Sequence, residues 1–232
     1  MAQRLRFGLA GCGDFGKYLG AYLKEVAEIA AVCDLDATRA RGTAAELGLE
    51  IPEYSSHEAM FAAGGLDAVA ITAANFAHAE ITVAAARSGL HVFCEKAMAR
   101  NVPECWAMAR ACREHGVKLM IGHKRRLRPP WARMVELTDD ALLGQVLGVT
   151  VAEYCDNRPY NFFDTWWADP ELSGGFFHMH GVHVVDWFRA LCGDAARVGA
   201  LYGPQHDSRY RFRDIVHATF QFEGGALATL AG

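Results

Sequence analysis

The chain has 232 residues, of which 52% are hydrophobic and 22% charged, a composition typical of a folded globular protein with one large domain or two smaller ones. Its formal net charge of −4 argues against a general nucleic-acid or anionic-membrane surface. Seven irregularly spaced cysteines without a C-x-x-C pair favour reduced thiols and a cytoplasmic location over a disulfide framework or a structural zinc site. We expect no signal peptide and no membrane span.

The first half alternates short apolar runs, typical of strands buried on both faces, with helical patterns. The predicted strands are Leu5–Ala10, Ile29–Cys33, Ala68–Thr72, Leu90–Cys94 and Lys118–Ile121, with a weaker one near Glu50–Tyr54. The predicted helices are Phe15–Ala27, Thr38–Leu47, His57–Ala63, Ala77–Ser88 and Val102–His115. This alternation predicts an α/β domain over residues 1–122, with a doubly wound parallel sheet that binds ligands beyond the carboxyl ends of its strands.

The pattern changes over residues 123–232. Residues 124–130 have the composition of a junction, and a short helix is predicted around Trp131–Leu137. The later predicted elements are an extended run over Gln145–Tyr154, an aromatic loop over 155–175, a helix over Gly181–Cys192, and strands over Val198–Tyr202, Tyr210–Phe222 and Ala226–Leu230. These elements predict an α+β domain with a mainly antiparallel open sheet.

A glycine fingerprint directly follows the first predicted strand. Gly11 permits a tight turn, Gly13 lets the main chain approach a pyrophosphate, and Gly16 lets the next helix pack closely on its strand. A helix beginning near Asp14 offers N–H groups and a positive dipole end to phosphates. Asp34 ends the second strand, where a carboxylate accepts ribose hydroxyls and would repel the 2′-phosphate of NADP. The pattern therefore predicts an NAD site, with a glycine-rich structural turn as the alternative.

Six segments match a known family pattern in order and span nearly the whole chain. They are G-C-G-D-F-G (11–16), A-N-F-A-H-A-E (74–80), G-L-H-V-F-C-E-K-A (89–97), I-G-H-K-R-R (121–126), L-L-G-Q-V (142–146) and S-G-G-F-F-H-M-H-G-V-H-V-V-D (173–186). The chain thereby resembles the Gfo/Idh/MocA family, which includes glucose–fructose oxidoreductases and inositol dehydrogenases. The resemblance implies an N-terminal Rossmann domain, a C-terminal domain for substrate binding and homo-oligomerisation through its sheet, and a cofactor between the domains.

The resemblance also implies catalytic residues. Lys96 matches the lysine of the family's E-K-P signature and would contact the nicotinamide ribose and the substrate. His183 matches the catalytic histidine, and in the first turn of a helix the positive dipole end would keep its imidazole neutral and able to accept a hydroxyl proton. The other implied contacts are Asp14, Phe15, Thr72, Asn75, His78 and Glu95 with the cofactor, and Trp166 and His180 with the substrate.

The chain departs from the family pattern at three points. Met179 stands where an aspartate usually precedes the catalytic histidine, with His180 and Asp186 as candidate replacements. Ala97 stands where a proline is usual, so a cis peptide bond after Lys96 would be costly. Family members continue beyond the equivalent of residue 232, so we expect a truncated chain with an incomplete sheet.

Several of these residues also have simpler interpretations. Asn75 could be a helix N-cap, Lys96 a surface lysine and His183 a core histidine. His178 completes an H-x-H-x-x-H motif with His180 and His183, but no cysteine or carboxylate stands at ligand spacing, so we expect no metal.

The sequence therefore predicts an NAD-dependent oxidoreductase that transfers hydride between the cofactor and a secondary alcohol or ketone of a sugar, inositol or related polyol. Two alternatives remain open. One is a redox-assisted glycosidase that retains NAD, and the other is an NAD-binding regulator that has lost turnover, for which Met179 and Ala97 are the motivation.

Overall fold

The computed structural model describes residues 4–139, 144–154, 162–175 and 177–232. The parts of our predictions that fall on residues 140–143, on 155–161 with Tyr160, and on Phe176 lie outside the described residues. The chain divides into two compact units, residues 1–122 and 123–232. Within the described segments, no helix has both the length and the apolar character required to cross a bilayer.

The first unit is built on a six-stranded sheet in the order β3-β2-β1-β4-β5-β6, with every neighbouring pair parallel. Its strands are β1 (Arg6–Ala10), β2 (Glu28–Cys33), β3 (Glu53–Tyr54), β4 (Ala68–Ile71), β5 (His91–Cys94) and β6 (Leu119–Ile121). Its helices are α1 (Asp14–Val26), α2 (Ala37–Glu46), α3 (His57–Ala62), α4 (Asn75–Arg87) and α5 (Val102–Glu114). The predicted doubly wound parallel sheet is confirmed.

Helices cover both faces of this sheet, so alternate residues of its strands enter two separate apolar cores. In β4 every residue is buried; Val69 and Ile71 join one core, and Ala70 joins the other. The strand order reverses direction between β1 and β4. Such a switch point leaves a crevice at the carboxyl ends of the two strands, where ligands of open α/β sheets bind.

The second unit combines helices with a four-stranded sheet in the order β7-β10-β9-β8. Its strands are β7 (Gly148–Ala152), β8 (Ala195–Tyr202), β9 (Val216–Phe222) and β10 (Leu227–Ala231), and its α-helices are α6 (Pro129–Asp139), α7 (Pro170–Ser173) and α8 (Val182–Cys192). The short helical turns are 3-10 turns over Lys124–Leu127, Phe162–Asp164 and Trp166–Ala168 and a π-helical turn over Phe177–Gly181. Two strand pairings are antiparallel and β7 pairs with β10 in parallel, so the predicted mainly antiparallel sheet is confirmed.

Helix α8 covers one face of this second sheet. Phe188 is fully buried, and its ring lies 5.6 Å from that of Phe220 and 6.5 Å from that of Phe222. Alternation along β9 places Val216 and Ala218 on the same covered face. The opposite face of the sheet is exposed.

Three predicted elements of the second unit were wrong in extent or type. The predicted strand over Tyr210–Phe222 begins only at Val216, because residues before it are held in turns, as where the carboxylate of Asp214 accepts from the main-chain N–H of His206 at 2.8 Å. The region predicted as loop contains α7 and two 3-10 turns. Helix α6 begins at Pro129, earlier than predicted, since a proline is well accommodated in the first turn of a helix.

Candidate active-site residues

The loop between β1 and α1 is pinned to the end of β4. Gly11 has φ +101°, and a Cβ added to it would lie 2.3 Å from the main-chain nitrogen of Ala73. The hydroxyl of Thr72 donates to the carbonyl oxygen of Gly11 at 2.6 Å. A Cβ on Gly16 would lie 2.1 Å from that same carbonyl oxygen. Gly11 and Gly16 are therefore required by the packing of the loop itself.

Gly13 is different, because no neighbouring atom explains why it is a glycine. Its φ of −75° suits any residue, and an added Cβ would meet no atom within 4 Å. Gly13 is the N-cap of α1, so it brings no side chain to the amino-terminal end of that helix. Main-chain N–H groups at a helix N-terminus bind phosphate groups well. The open space beside Gly13 is therefore a candidate position for a phosphate.

The first residues of α1 flank this space. Asp14 is exposed at the first helical position, and the ring of Phe15 lies 5.6 Å from that of Tyr18 on the next turn. Both residues contribute main-chain nitrogens to the first turn of α1. The structure therefore places them where the sequence predicted phosphate contacts.

Asp34 is held at the tip of β2, beside the glycine loop. Its Oδ2 accepts from the main-chain N–H of Cys12 at 2.8 Å, and its Oδ1 accepts from that of Asp36 at 2.9 Å. A carboxylate oxygen has more than one acceptor site, so both oxygens retain capacity for hydroxyl donors. The carboxylate is thus fixed in orientation next to the loop that would hold a pyrophosphate.

Lys96 follows β5 at the carboxyl edge of the same sheet. Its main-chain N–H donates to Oε2 of Glu95 at 3.2 Å. Glu95 is buried, and a Cβ added to Gly122 would lie 2.7 Å from its Oε1, so this glycine makes room for the carboxylate. The peptide bond between Lys96 and Ala97 is cis, although we expected that geometry to be disfavoured without a proline.

Asn75 and His78 lie at the start of α4, and both are buried. Ala74 is the N-cap of this helix, so the N-cap interpretation of Asn75 is wrong. The Nδ1 of His78 lies 2.8 Å from the carbonyl oxygen of Ala97, and its Nε2 lies 2.9 Å from that of Ala73. Both ring nitrogens of His78 therefore contact main-chain oxygens, whereas we had expected this residue to contact a cofactor.

In the second unit, His183 is the second residue of α8 and is buried. Its ring centroid lies 6.4 Å from that of His123. The dipole argument for this residue is wrong, because the π-helical turn over Phe177–Gly181 extends the helical backbone upstream and Gly181 itself has helical angles. His183 therefore lies beyond the first helical turn, where the dipole has little effect. The same turn carries His178 and His180.

A carboxylate that sequence reasoning missed lies near His180. Glu153 follows β7 and pairs with the Arg125 guanidinium through both of its carboxylate oxygens. This pairing, with a smaller contribution from His180, holds the pKa of Glu153 below its usual value. Glu153, His180 and Phe177 line a small pocket within the second unit. The only signal in the sequence was a charged residue near the end of the predicted extended run.

Asp186, a candidate replacement for the usual aspartate, is engaged elsewhere. Its Oδ2 accepts from Nε of Arg126 at 2.7 Å, and its Oδ1 accepts from Nη2 at 2.5 Å. Met179 is buried and can supply no charge. Glu153 is thus the acidic group that the structure places near His180.

The aromatic residues near His180 differ from the expectation in detail. The ring of Trp167 lies 5.6 Å from the ring of His180 and stacks on Phe162 at 4.3 Å. Trp166 lies 5.9 Å from Trp167. Trp167 is therefore the tryptophan beside the histidine, and a substrate contact from Trp166 stays a prediction.

Comparisons with known proteins cover nearly the whole chain. Residues 5–123 match the family model described as "Oxidoreductase family, NAD-binding Rossmann fold", and residues 131–232 match the "GFO/IDH/MocA C-terminal domain". The chain is 27% identical to a 2,7-anhydro-N-acetylneuraminate hydratase of Mediterraneibacter gnavus, over 97% of this chain and 60% of the relative. It is 33% identical to a D-xylose 1-dehydrogenase (NADP(+)) of Haloferax volcanii, over 97% of this chain and 68% of the relative.

Among solved structures, the chain resembles the WlbA dehydrogenase from Bordetella pertussis in complex with NADH and UDP-GlcNAcA. The TM-score is 0.90 at 27% identity, over 99% of this chain and 70% of that one. The chain thus spans 60–70% of the length of these proteins.

Proposed function

The chain belongs to the Gfo/Idh/MocA family of oxidoreductases, and on this basis we propose that it is an NAD-dependent dehydrogenase of a secondary alcohol in a sugar, inositol or related polyol. The observation that carries the proposal is the open space at Gly13, at the N-terminus of α1 and beside the fixed carboxylate of Asp34. Relatives named for sugar oxidation, such as the xylose dehydrogenase, support the substrate class.

The residues of the first unit fit an NAD molecule. The loop from Gly11 to Gly16, with the main chain of Asp14 and Phe15, would hold the pyrophosphate, and Asp34 would accept from the adenosine ribose. Thr72, Asn75 and Glu95 would shape the site at the ends of β4 and β5. A bound nicotinamide would supply the oxidising power for the alcohol carbon. We favour NAD over NADP because the carboxylate of Asp34 disfavours a further phosphate on that ribose.

Lys96 and His183 are the residues that we propose for proton handling. The ammonium of Lys96 would orient the reacting hydroxyl and stabilise negative charge that develops on its oxygen. The imidazole of His183 would accept the hydroxyl proton. His180 would bind another substrate hydroxyl, and the ring of Trp166 or Trp167 would pack on the C–H face of the substrate.

Titration of NADH and NADPH against the protein, followed by nucleotide fluorescence, tests the cofactor site. We expect NADH to bind more tightly than NADPH, and Gly13→Ala to weaken NADH binding by about tenfold or more because its methyl group occupies phosphate space. Gly42→Ala is the matched control, since Gly42 is exposed in α2 and an added Cβ there also has no neighbour within 4 Å. Equal losses in the two variants, or tighter NADPH binding, would contradict the assignment.

A panel of sugars and inositols with NAD tests the catalytic residues. We expect absorbance at the NADH wavelength to rise with at least one polyol, and Lys96→Ala to abolish this rise while NADH still binds. An unchanged rate in Lys96→Ala would remove this lysine from the mechanism.

The anhydroneuraminate hydratase relative favours one second candidate, a reaction in which NAD is used and regenerated within each cycle. Substrate consumption without net NADH formation, with NAD retained on the protein, would support it. Tight NADH binding without turnover of any substrate in the panel would instead support a regulator.

We also propose self-association through the second sheet. The face opposite α8 exposes Leu201 and Leu227 together with small polar residues such as Thr219 and Thr229. Light scattering after size-exclusion chromatography should give a multiple of 25.4 kDa, the mass of one chain. A mass of one chain at all concentrations would contradict this proposal.

A further inference from the structure

His78 bridges two loops at the carboxyl edge of the first sheet. It lies in the first turn of α4, and its ring extends between the loop after β4, which contains Ala73, and the segment after β5, which contains Ala97. Strands β4 and β5 are neighbours in the sheet, so one imidazole can reach both segments. Only 1% of the His78 surface is exposed, so water does not compete for these contacts.

The protonation state of His78 limits how many carbonyl oxygens its ring can donate to. A neutral imidazole has one N–H, so it donates to only one of the two carbonyl oxygens. Burial is the main cause that lowers the pKa of His78, and the nearby charge of Lys96 lowers it further, against smaller opposing contributions from the carbonyl oxygens. His78 is therefore neutral at physiological pH, and one of its two contacts is the hydrogen bond.

The two carbonyls differ in how far they lie from the sheet ladder. The loop that contains Ala73 is fixed by the preceding residue, Thr72. The main-chain N–H of Thr72 donates to the carbonyl oxygen of Ala10 at 2.8 Å, and its hydroxyl donates to that of Gly11 at 2.6 Å. In the other segment, the main-chain N–H of Glu95 still continues the sheet by donating to Ile71, but Lys96 and Ala97 lie beyond the sheet ladder. A hydrogen bond from His78 in α4 therefore restrains the segment with Lys96 and Ala97 more than it restrains the loop with Ala73.

We propose that His78 is a positioning residue, which donates its N–H from Nδ1 to the carbonyl oxygen of Ala97 and thereby fixes the segment that presents Lys96. The inference rests on the proposed function, in which Lys96 acts on the substrate. This positioning role replaces the direct cofactor contact that the family resemblance implied for His78.

Two amide substitutions separate the two contacts. The side-chain nitrogen of asparagine can occupy the position of Nδ1 and reach Ala97, whereas that of glutamine can occupy the position of Nε2 and reach Ala73. We expect His78→Asn to retain kcat within about threefold, and His78→Gln to lower kcat by about 100-fold, the loss that misplacement by roughly 1 Å can cause. NADH affinity should change little in either variant, because the glycine loop is untouched.

Amide hydrogen exchange over residues 96–99 gives a readout that does not need turnover. We expect exchange in this segment to speed up at least tenfold in His78→Gln and to stay near the wild-type rate in His78→Asn. Ile81→Val, a buried substitution one turn further along α4, controls for a general loss of stability and should leave exchange over 96–99 unchanged.

Equal effects of the two amide variants on kcat and on exchange would overturn the proposal, because a merely structural histidine does not distinguish them. Fast exchange in His78→Asn with slow exchange in His78→Gln would assign the bond to Ala73 and also overturn it. If the wild-type protein turns over no substrate, the proposed function fails, and the exchange rates alone still decide the role of His78.

Discussion

At the scale of single residues, the sequence predicted those candidate positions whose geometry is local. Gly13 and Gly16 could be assigned separate roles because each role depends on backbone within a few residues, whereas Gly11 packs against Ala73, which is distant in sequence. Glu153 and the role of His78 could not be predicted, because their partners are distant in sequence: Arg125 is 28 residues from Glu153, and the Ala97 carbonyl is 19 residues from His78.

Gly13 and Gly16 should respond differently to the same methyl group. Gly16→Ala places a Cβ 2.1 Å from a main-chain oxygen, so α1 must shift, and we expect a loss of about 1–3 kcal/mol in the free energy of unfolding. Gly13→Ala meets no neighbour and should cost less than about 1 kcal/mol. Urea unfolding measures both. A large loss in Gly13→Ala would show that this glycine has a structural role in the free protein.

The ion pair of Arg125 and Glu153 predicts a defined pH dependence. The folded state lowers the pKa of Glu153 below the ordinary 4.5, so its stabilising contribution is present above that pH and is lost as the pH falls through the folded value. We expect Arg125→Met to lower the free energy of unfolding by about 2 kcal/mol at neutral pH, since it leaves a partly buried carboxylate unpaired.

The difference between Arg125→Met and the wild-type protein should shrink below pH 4.5, the ordinary pKa of the carboxyl group. Urea unfolding at a series of pH values measures this difference in the free energy of unfolding. Arg133→Met is a control, because the Arg133–Glu136 pair is exposed and contributes little. A difference that does not depend on pH would mean that packing of the Arg125 stem, and not its charge, stabilises the protein.

At the scale of elements, the alternating pattern of the first unit predicted its strands and helices to within a few residues. The second unit was harder, because its irregular segments depend on contacts distant in sequence. Tyr210 was taken as a strand residue on its intrinsic preference, but its ring packs 4.7 Å from that of Phe163 in a turn. The π-helical turn before α8 has no sequence pattern that distinguishes it from an ordinary helix start.

Helix α8 should dominate the stability of the second unit. Phe188 is fully buried against β9, so Phe188→Ala should lower the free energy of unfolding by about 3–5 kcal/mol through the cavity it leaves. Its neighbour Arg189 is exposed in an ion pair with Asp194. Arg189→Ala should therefore change the free energy of unfolding by less than about 1 kcal/mol. Chemical denaturation compares the two variants, and similar losses would contradict the packing described for α8.

At the scale of the molecule, each unit has its own apolar core, and the proposed nucleotide residues lie in the first unit. NADH at 100 times its Kd should therefore stabilise the first unit by about 2.7 kcal/mol. Calorimetry should show a rise in the melting temperature with NADH in the wild-type protein, and Phe188→Ala should retain NADH binding. Loss of binding in Phe188→Ala would mean that the second unit is needed for the cofactor site.

The parallel pairing of β7 with β10 has a consequence for biosynthesis. Thr150 and Thr229, whose hydroxyls lie 3.1 Å apart across this pair, are separated by 79 residues. Four of the five parallel pairs of the first sheet need only the strand–helix–strand segment between their members, and the fifth, β1 with β4, closes as soon as β4 is made. That unit can therefore form while the ribosome is still making later residues. Strand β7 must wait unpaired until β10 emerges, so we expect the sheet of the second unit to form last.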